Sequence, residues 1–163
     1  MTSLPFCLRS AAAEVGADVR LLAAPFDPAA EFAAFAAAQE AAGGVVSFLG
    51  QVRAGGGVET LELRHYEPLT LPGMRALAGD ALQRWPLDGL LVIHRSGLML
   101  PGEPIVLVVA AARHRRDAFA AAEFAMDHLK SESWFWKREK AGGVWNWIEP
   151  RPVDFEDARR WNG

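Results

Sequence analysis

The spacing of apolar and polar residues changes several times along the chain, and each change marks an element. Val19, Leu21 and Ala23 occupy every second position of a run that ends at Pro25, the period of a short strand. Asp27-Pro28 supplies an N-cap and a proline at the first helical position, which predicts a helix start. That helix places Phe32, Phe35 and Ala36 on one side and stops near Gly43-Gly44. From Gly43 to Arg53 the chain is almost continuously apolar, which predicts a buried strand. Ala54 and three glycines follow, then Val58 to Tyr66 with Leu61 and Leu63 alternating, so the two strands are expected to form a hairpin with a glycine-rich tip. The glycines lack the following helix and the Gly-Lys-Ser/Thr of a phosphate loop. Thr70 is the expected cap of a second helix over 71–84, with Pro72 in its first turn, where a missing N–H matters little. Leu90 to Ser96 reads as a strand, Pro101-Gly102 as a turn, and Pro104 to Ala112 as the most hydrophobic strand of all. A third helix over 115–129 carries Phe119, Ala122, Met126 and Leu129 at spacings of three and four. Trp134 to Lys140 and Val144 to Ile148 close the pattern as two strands joined at Ala141-Gly142-Gly143.

Helices and strands alternate without a regular βαβ rhythm, so the expected class is α+β: one domain with a mixed or antiparallel sheet, three main helices and a β-hairpin subdomain. Residues 1–17 show no period and read as an N-terminal extension, 18–150 as the domain, and 151–163 as a C-terminal tail. Composition changes this picture in three ways. A formal net charge of -3 argues against a general nucleic-acid binder. The one cysteine, Cys7, excludes an internal disulfide framework and a multi-cysteine zinc site. The start of the chain lacks a signal-peptide pattern and no window approaches about 20 uncharged apolar residues, so a cytoplasmic protein is expected.

Chemistry concentrates between Arg113 and Lys140. His114, Arg115 and Arg116 stand at the start of the third helix, where the macrodipole is already positive. Cations there conflict with helix stability unless an anion sits among them. Salt bridges on a solvated surface would explain a random basic triplet equally well, but this one directly follows the most apolar strand. Lys130 ends the helix, where a cation is favoured without any ligand. Lys137 shares a strand face with Phe135, which predicts partial desolvation, the condition that makes a lysine a usable base or nucleophile. Glu139 is placed to pair with Lys137 or Arg138. His65, His94 and His128 show no metal-ligand spacing, and no metal is expected. These residues suit lysine chemistry on a small anionic ligand. They also leave open a non-catalytic module that stacks single-stranded nucleic acid on Trp134, Phe135 and Trp136, or a protein interface anchored on the same aromatics.

The segments G-G-V-V-S-F-L-G-Q-V-R (43–53), I-H-R-S-G (93–97), P-G-E-P-I-V-L-V (101–108), A-A-R-H-R-R-D-A-F (111–119) and F-A-M-D-H-L-K-S-E-S-W-F-W-K-R-E (124–139) together resemble the MoaE family, the large catalytic subunit of molybdopterin synthase. The likeness spans about residues 18–150. It implies the family's α/β hammerhead fold and sulfur transfer to cyclic pyranopterin monophosphate, giving the dithiolene of molybdopterin. The implied donor is the C-terminal Gly-Gly thiocarboxylate of a small ubiquitin-like (MoaD-like) carrier, docked on a homodimer within a heterotetramer. No separate cofactor, nucleic acid or membrane is implied. By residue, the resemblance implies Lys130 and Lys137 as catalytic. It implies Gln51, Val52, Arg53, His114, Arg115, Arg138 and Glu139, with both lysines, as substrate-binding. Trp145, Trp147 and Trp161 are either channel-mouth contacts for the carrier or ordinary core. Two stretches depart from the family pattern: Glu67-Pro68-Leu69-Thr70 stands where it reads P-G-M-T, and Lys130-Ser-Glu-Ser-Trp134 where it often reads K-T-R-A-P.

Overall fold

The computed structural model describes residues 16–132 and 134–162, so the expected N-terminal extension lies almost wholly outside the described residues. In chain order the elements are β1 Ala17–Leu22, α1 Pro28–Ala37, β2 Gly44–Gln51, β3 Val58–His65, α2 Glu67–Arg84, β4 Leu87–Arg95, β5 Gly97–Met99, β6 Pro104–Ala112, α3 Arg115–Ser131, β7 Phe135–Ala141, β8 Val144–Ile148 and α4 Pro152–Arg159.

Two four-stranded sheets result. The larger has the order β1-β4-β6-β2, parallel between β1 and β4 and antiparallel elsewhere. Its central strands read as continuous apolar runs because both their faces are covered. Leu90, Val92, Val108 and Ala110 point toward α2 and α3, into a core with Met74, Ala78, Phe124 and Leu129. Leu91, Ile93, Leu107 and Val109 point the other way, toward Phe32 and Phe35 of α1. The smaller sheet, β5-β3-β7-β8, is antiparallel throughout and buries only one face, where Leu61, Leu63 and Met99 gather around Val52. This one-sided burial explains the alternation seen in β3. The α+β class and the mixed and antiparallel sheets are as expected.

Several local expectations change. The strands flanking the glycine-rich tip do not pair with each other: β2 lies along β6 in one sheet and β3 along β7 in the other. The glycines carry the chain between sheets, and the true hairpin is β7–β8. Strand β2 is not buried either. It is an edge strand that leaves Phe48 and Leu49 40% and 38% exposed. Helix α2 begins at Glu67, so Thr70 does not cap it and Pro72 falls in its interior. The stretch read as a tail folds back onto α3: Arg160 and the Trp161 indole both bond Asp127, and Trp161 stands edge-on to Trp85 and Phe124 at 5.6 Å.

Candidate active site

The residues singled out in the sequence fall at two ends of the molecule. At one end β6 runs out at Ala112 and the chain turns into α3. The Gly43 N–H closes this corner on the Ala112 carbonyl at 3.1 Å, and any Cβ at Gly43 would collide with the Arg113 carbonyl oxygen. His114 takes the N-cap position with no side-chain capping bond. With Gly43, Arg113, Arg115, Arg116 and Phe119 it lines an open cleft of about 590 Å3. All four basic side chains are exposed. Three arginines and a histidine over a helix N-terminus form a strong attractor for an anion.

Arg115 and Lys130 lie at opposite ends of α3, about 22 Å apart at the rise of an α-helix. Arg53, beyond the far end of β2, is about 30 Å from the Gly44 end where His114 sits, at the rise of a strand. One chain therefore does not bring Arg53 to His114 and Arg115. It does set the residue before Arg53 in the cluster beside Lys137. Val52, beside Arg53, is buried with Leu61 and Leu63 and packs on Phe135. Leu63 and Leu61 are the cross-strand partners of Lys137 and Glu139, so both charged side chains emerge on the face that holds Val52. Lys137 and Glu139 pair at 3.1 Å. The partial desolvation expected for Lys137 is met in the single chain: the residue is half-buried, its side chain 42% exposed, on the same face of β7 as Phe135, which stacks on His94 at 4.0 Å.

Arg138 points to the other face of β7. It pairs with Glu62 and lies over the rings of Trp145 and Trp147 at 4.4 and 5.5 Å. Burial pulls the Glu62 carboxyl upward, but hydrogen bonds from Arg138 and Arg64 outweigh it and hold the group below its ordinary range. Arg138 is thus separated from Lys137 by the sheet itself. Lys130 is exposed and lines a second cleft, of about 480 Å3, with Val46, Phe48, Met126 and residues of α4. There Asp154 is held below the usual carboxylate range, first by its bond with Arg151 and least by the nearby Lys130 charge.

Two polar groups to which the sequence reading gave no part in the site, Arg95 and His94, support this end. Arg95 is 2% exposed and reaches the carbonyls of Pro104 and Leu98 at 3.3 and 3.5 Å, with Glu103 at 3.7 Å. It thereby braces the Pro101-Gly102 turn, whose backbone bonds both sides of Val52: Gly102 N–H to the Val52 carbonyl at 2.8 Å, and Val52 N–H to Glu103 at 2.9 Å. Gln51 adds a bond to the Gly102 carbonyl. The signal was a charged residue closing an apolar strand, at Arg95 after Leu90–His94. His94 is buried; its Nδ1 donates to the Arg95 carbonyl at 2.9 Å, and burial pushes its pKa down to about 4.

The nucleic-acid platform loses its footing in this geometry. Phe135 is stacked on His94 and Trp134 packs against the main core, which leaves Trp136, 52% exposed, as the one open ring of the three. The basic run lies at the opposite end of α3.

The family model described as MoaE protein matches residues 21–132. The molybdopterin synthase catalytic subunit of Mesorhizobium japonicum is 47% identical over 146 residues, covering 88% of this chain and 92% of that protein. The protein of the same description from Cereibacter sphaeroides is 44% identical, covering 88% and 99%. Among solved structures, the molybdopterin biosynthesis MoaE protein from Burkholderia ambifaria superposes with a TM-score of 0.77 at 38% identity, covering 90% of this chain and 99% of that one.

Proposed function

The chain belongs to the MoaE family, with the general activity of a molybdopterin synthase catalytic subunit, and on that premise we propose that it moves sulfur from the C-terminal thiocarboxylate of a small ubiquitin-like carrier to cyclic pyranopterin monophosphate in the cytoplasm. The product is the dithiolene of molybdopterin. The observation that carries the reading is that Lys137 and Glu139 emerge on the face holding the buried Val52, the residue just before Arg53, on a strand that follows three residues after the Lys130 end of α3.

Lys137 and Lys130 are assigned to the reacting centre, where ammonium groups stabilise or protonate the charged species that form as sulfur leaves the carrier. Glu139 orients Lys137 through their ion pair. Arg53, His114 and Arg115 are assigned to the phosphate and the pterin, the guanidinium groups offering paired donors to phosphate oxygens. Because one chain holds these groups at opposite ends, the complete site requires His114 and Arg115 from a second copy. The exposed apolar edge of β2 supports such pairing, since an uncovered strand edge bearing Phe48 and Leu49 is a natural surface for another chain. The Gly-Gly end of the carrier suits a passage too narrow for side chains. Arg138, Trp145 and Trp147, on the outer face of the small sheet, fit carrier contact better than catalysis.

The test is product formation from the pterin precursor and thiocarboxylated carrier, read by mass. Lys137→Ala is expected to abolish nearly all turnover and Lys130→Ala to impair it severely, with folding intact. Lys137→Glu should also destroy turnover while carrier affinity stays within about tenfold, or ~1.4 kcal/mol. Wild-type rates in both alanine variants would remove the catalytic assignment.

A further inference from the structure

Pro72 and Gly73 stand side by side inside α2, and these are the two residues least suited to a helix interior. Pro72 has no N–H to give the Pro68 carbonyl one turn back, and Gly73 adds backbone freedom without packing. Helix stability therefore does not account for this pair. What lies against Gly73 does. A Cβ placed there would come within 2.5, 2.6 and 2.8 Å of Cε2, Nε1 and Cζ2 of Trp134. The indole sits directly on the glycine, closer than any side chain would permit.

A second contact fixes the same residue through its backbone. Thr70, fully buried one turn before Gly73, has its hydroxyl 2.9 Å from the Trp134 carbonyl and 3.1 Å from the Tyr66 carbonyl. A single hydroxyl proton serves both acceptors. In the helix interior such a hydroxyl ordinarily bonds only its own preceding turn; here it also ties α2 to a segment 64 positions away. Thr70 and Gly73 thus hold Trp134 by its carbonyl and by its ring.

Trp134 is the last of three residues joining α3, which ends at Ser131, to β7, which begins at Phe135. Lys130 lies four positions before it and Lys137 three positions after it. Trp134 immediately precedes the strand that carries Lys137, so a displacement of Trp134 shifts the start of that strand relative to α3 and its Lys130. We propose that Thr70 and Gly73 form a clasp on Trp134 that sets the relative placement of Lys130 and Lys137, making both clasp residues positioning residues for sulfur transfer. The inference rests on the catalytic roles proposed above for the two lysines. The clasp itself has consequences that do not pass through activity.

The experiment compares Thr70→Val, Thr70→Ser, Gly73→Ala, Trp134→Ala and the Gly73→Ala/Trp134→Ala double variant, each shown to be folded by its thermal transition. Two quantities are read. One is the ratio of acylation rates of the Lys137 and Lys130 amines by a small activated ester, followed by peptide mass spectrometry on the protein alone. The other is steady-state turnover with precursor and thiocarboxylated carrier. Thr70→Val and Gly73→Ala are expected to shift the acylation ratio and lower kcat by about tenfold or more, as small misplacements of reacting groups do. KM and carrier affinity should stay within about twofold, which separates loss of alignment from loss of binding. Thr70→Ser keeps the hydroxyl and should restore both readouts. Gly73→Ala should add nothing once Trp134 is alanine, the non-additivity of residues acting through one contact. If Trp134→Ala does not fold, the valine and serine variants at position 70 decide alone. An unchanged acylation ratio in Thr70→Val and Gly73→Ala overturns the clasp, whatever turnover does. A shifted ratio with wild-type kcat overturns the positioning role and removes the lysines from the chemistry, which is failure of the functional reading and not of the contact.

Discussion

His94 is buried in full between the two sheets, where its ring stacks on Phe135 and its Nδ1 proton is given to the Arg95 carbonyl. That bond favours the charged ring, but burial outweighs it and brings the pKa down to about 4. In the unfolded chain the same ring titrates near ~6.5. Between these values the unfolded state takes up the proton and the folded state does not, so acid favours unfolding. The stability linked to His94 is complete above about pH 6.5 and is lost as pH falls toward 4, a change of about 3 kcal/mol. Urea midpoints measured across that window should fall with acid in the native protein and fall less in His94→Phe, which has nothing to titrate there. Equal slopes would place the ring in a wetter setting than the one described. The carboxyl of Glu62, held low against its own burial by Arg138 and Arg64, adds a loss of the same sign at lower pH.

Helix α4 and the turn after it were the least legible elements in the sequence, and they hold a testable share of the stability. Trp161 packs edge-on against Trp85 and Phe124 and donates its indole N–H to Asp127 at 2.7 Å. Trp161→Ala is expected to lower unfolding free energy by about 2–3 kcal/mol, short of a fully enclosed aromatic because the ring is only half-buried. Chemical denaturation measures this directly. The central strands were legible because burial on both faces leaves an unbroken apolar run, as in Pro104–Ala112. The pairing of β2 and β3 was not, since two strands joined by a short glycine run look alike whether they pair or part. Edge position was hidden for a related reason: Phe48 and Leu49 have the composition of core residues although one chain leaves them uncovered. The lysines were legible as residue types in a motif, but their setting was not. Periodicity put Lys137 on the face of Phe135, as found, but the stack of that ring on His94, distant in sequence, could not be read from spacing. Thr70 suited a helix cap by type, and only the helix's earlier start at Glu67 released its hydroxyl for Trp134.

Across the whole molecule, the separation of Arg53 from His114 and Arg115 makes a strong demand on assembly. A chain carrying Arg53→Ala and a chain carrying His114→Ala and Arg115→Ala should each be nearly inactive alone. Mixed under conditions that exchange subunits, they should regain activity, because a mixed pair contains one site whose every group is intact. Turnover of the mixture no higher than that of the separate variants would place the complete site within one chain and contradict the two-copy arrangement. Helix α3 acts as a rigid spacer with an anion-attracting end and a lysine end. No side chain spans its length, so under the proposed assignment an isolated copy would hold two half-sites and no whole one. On that proposal the catalyst is counted in pairs. Output per chain falls with dilution, and a cell that halves its supply of this protein loses more than half of the flux once copies become scarce relative to the strength of their pairing.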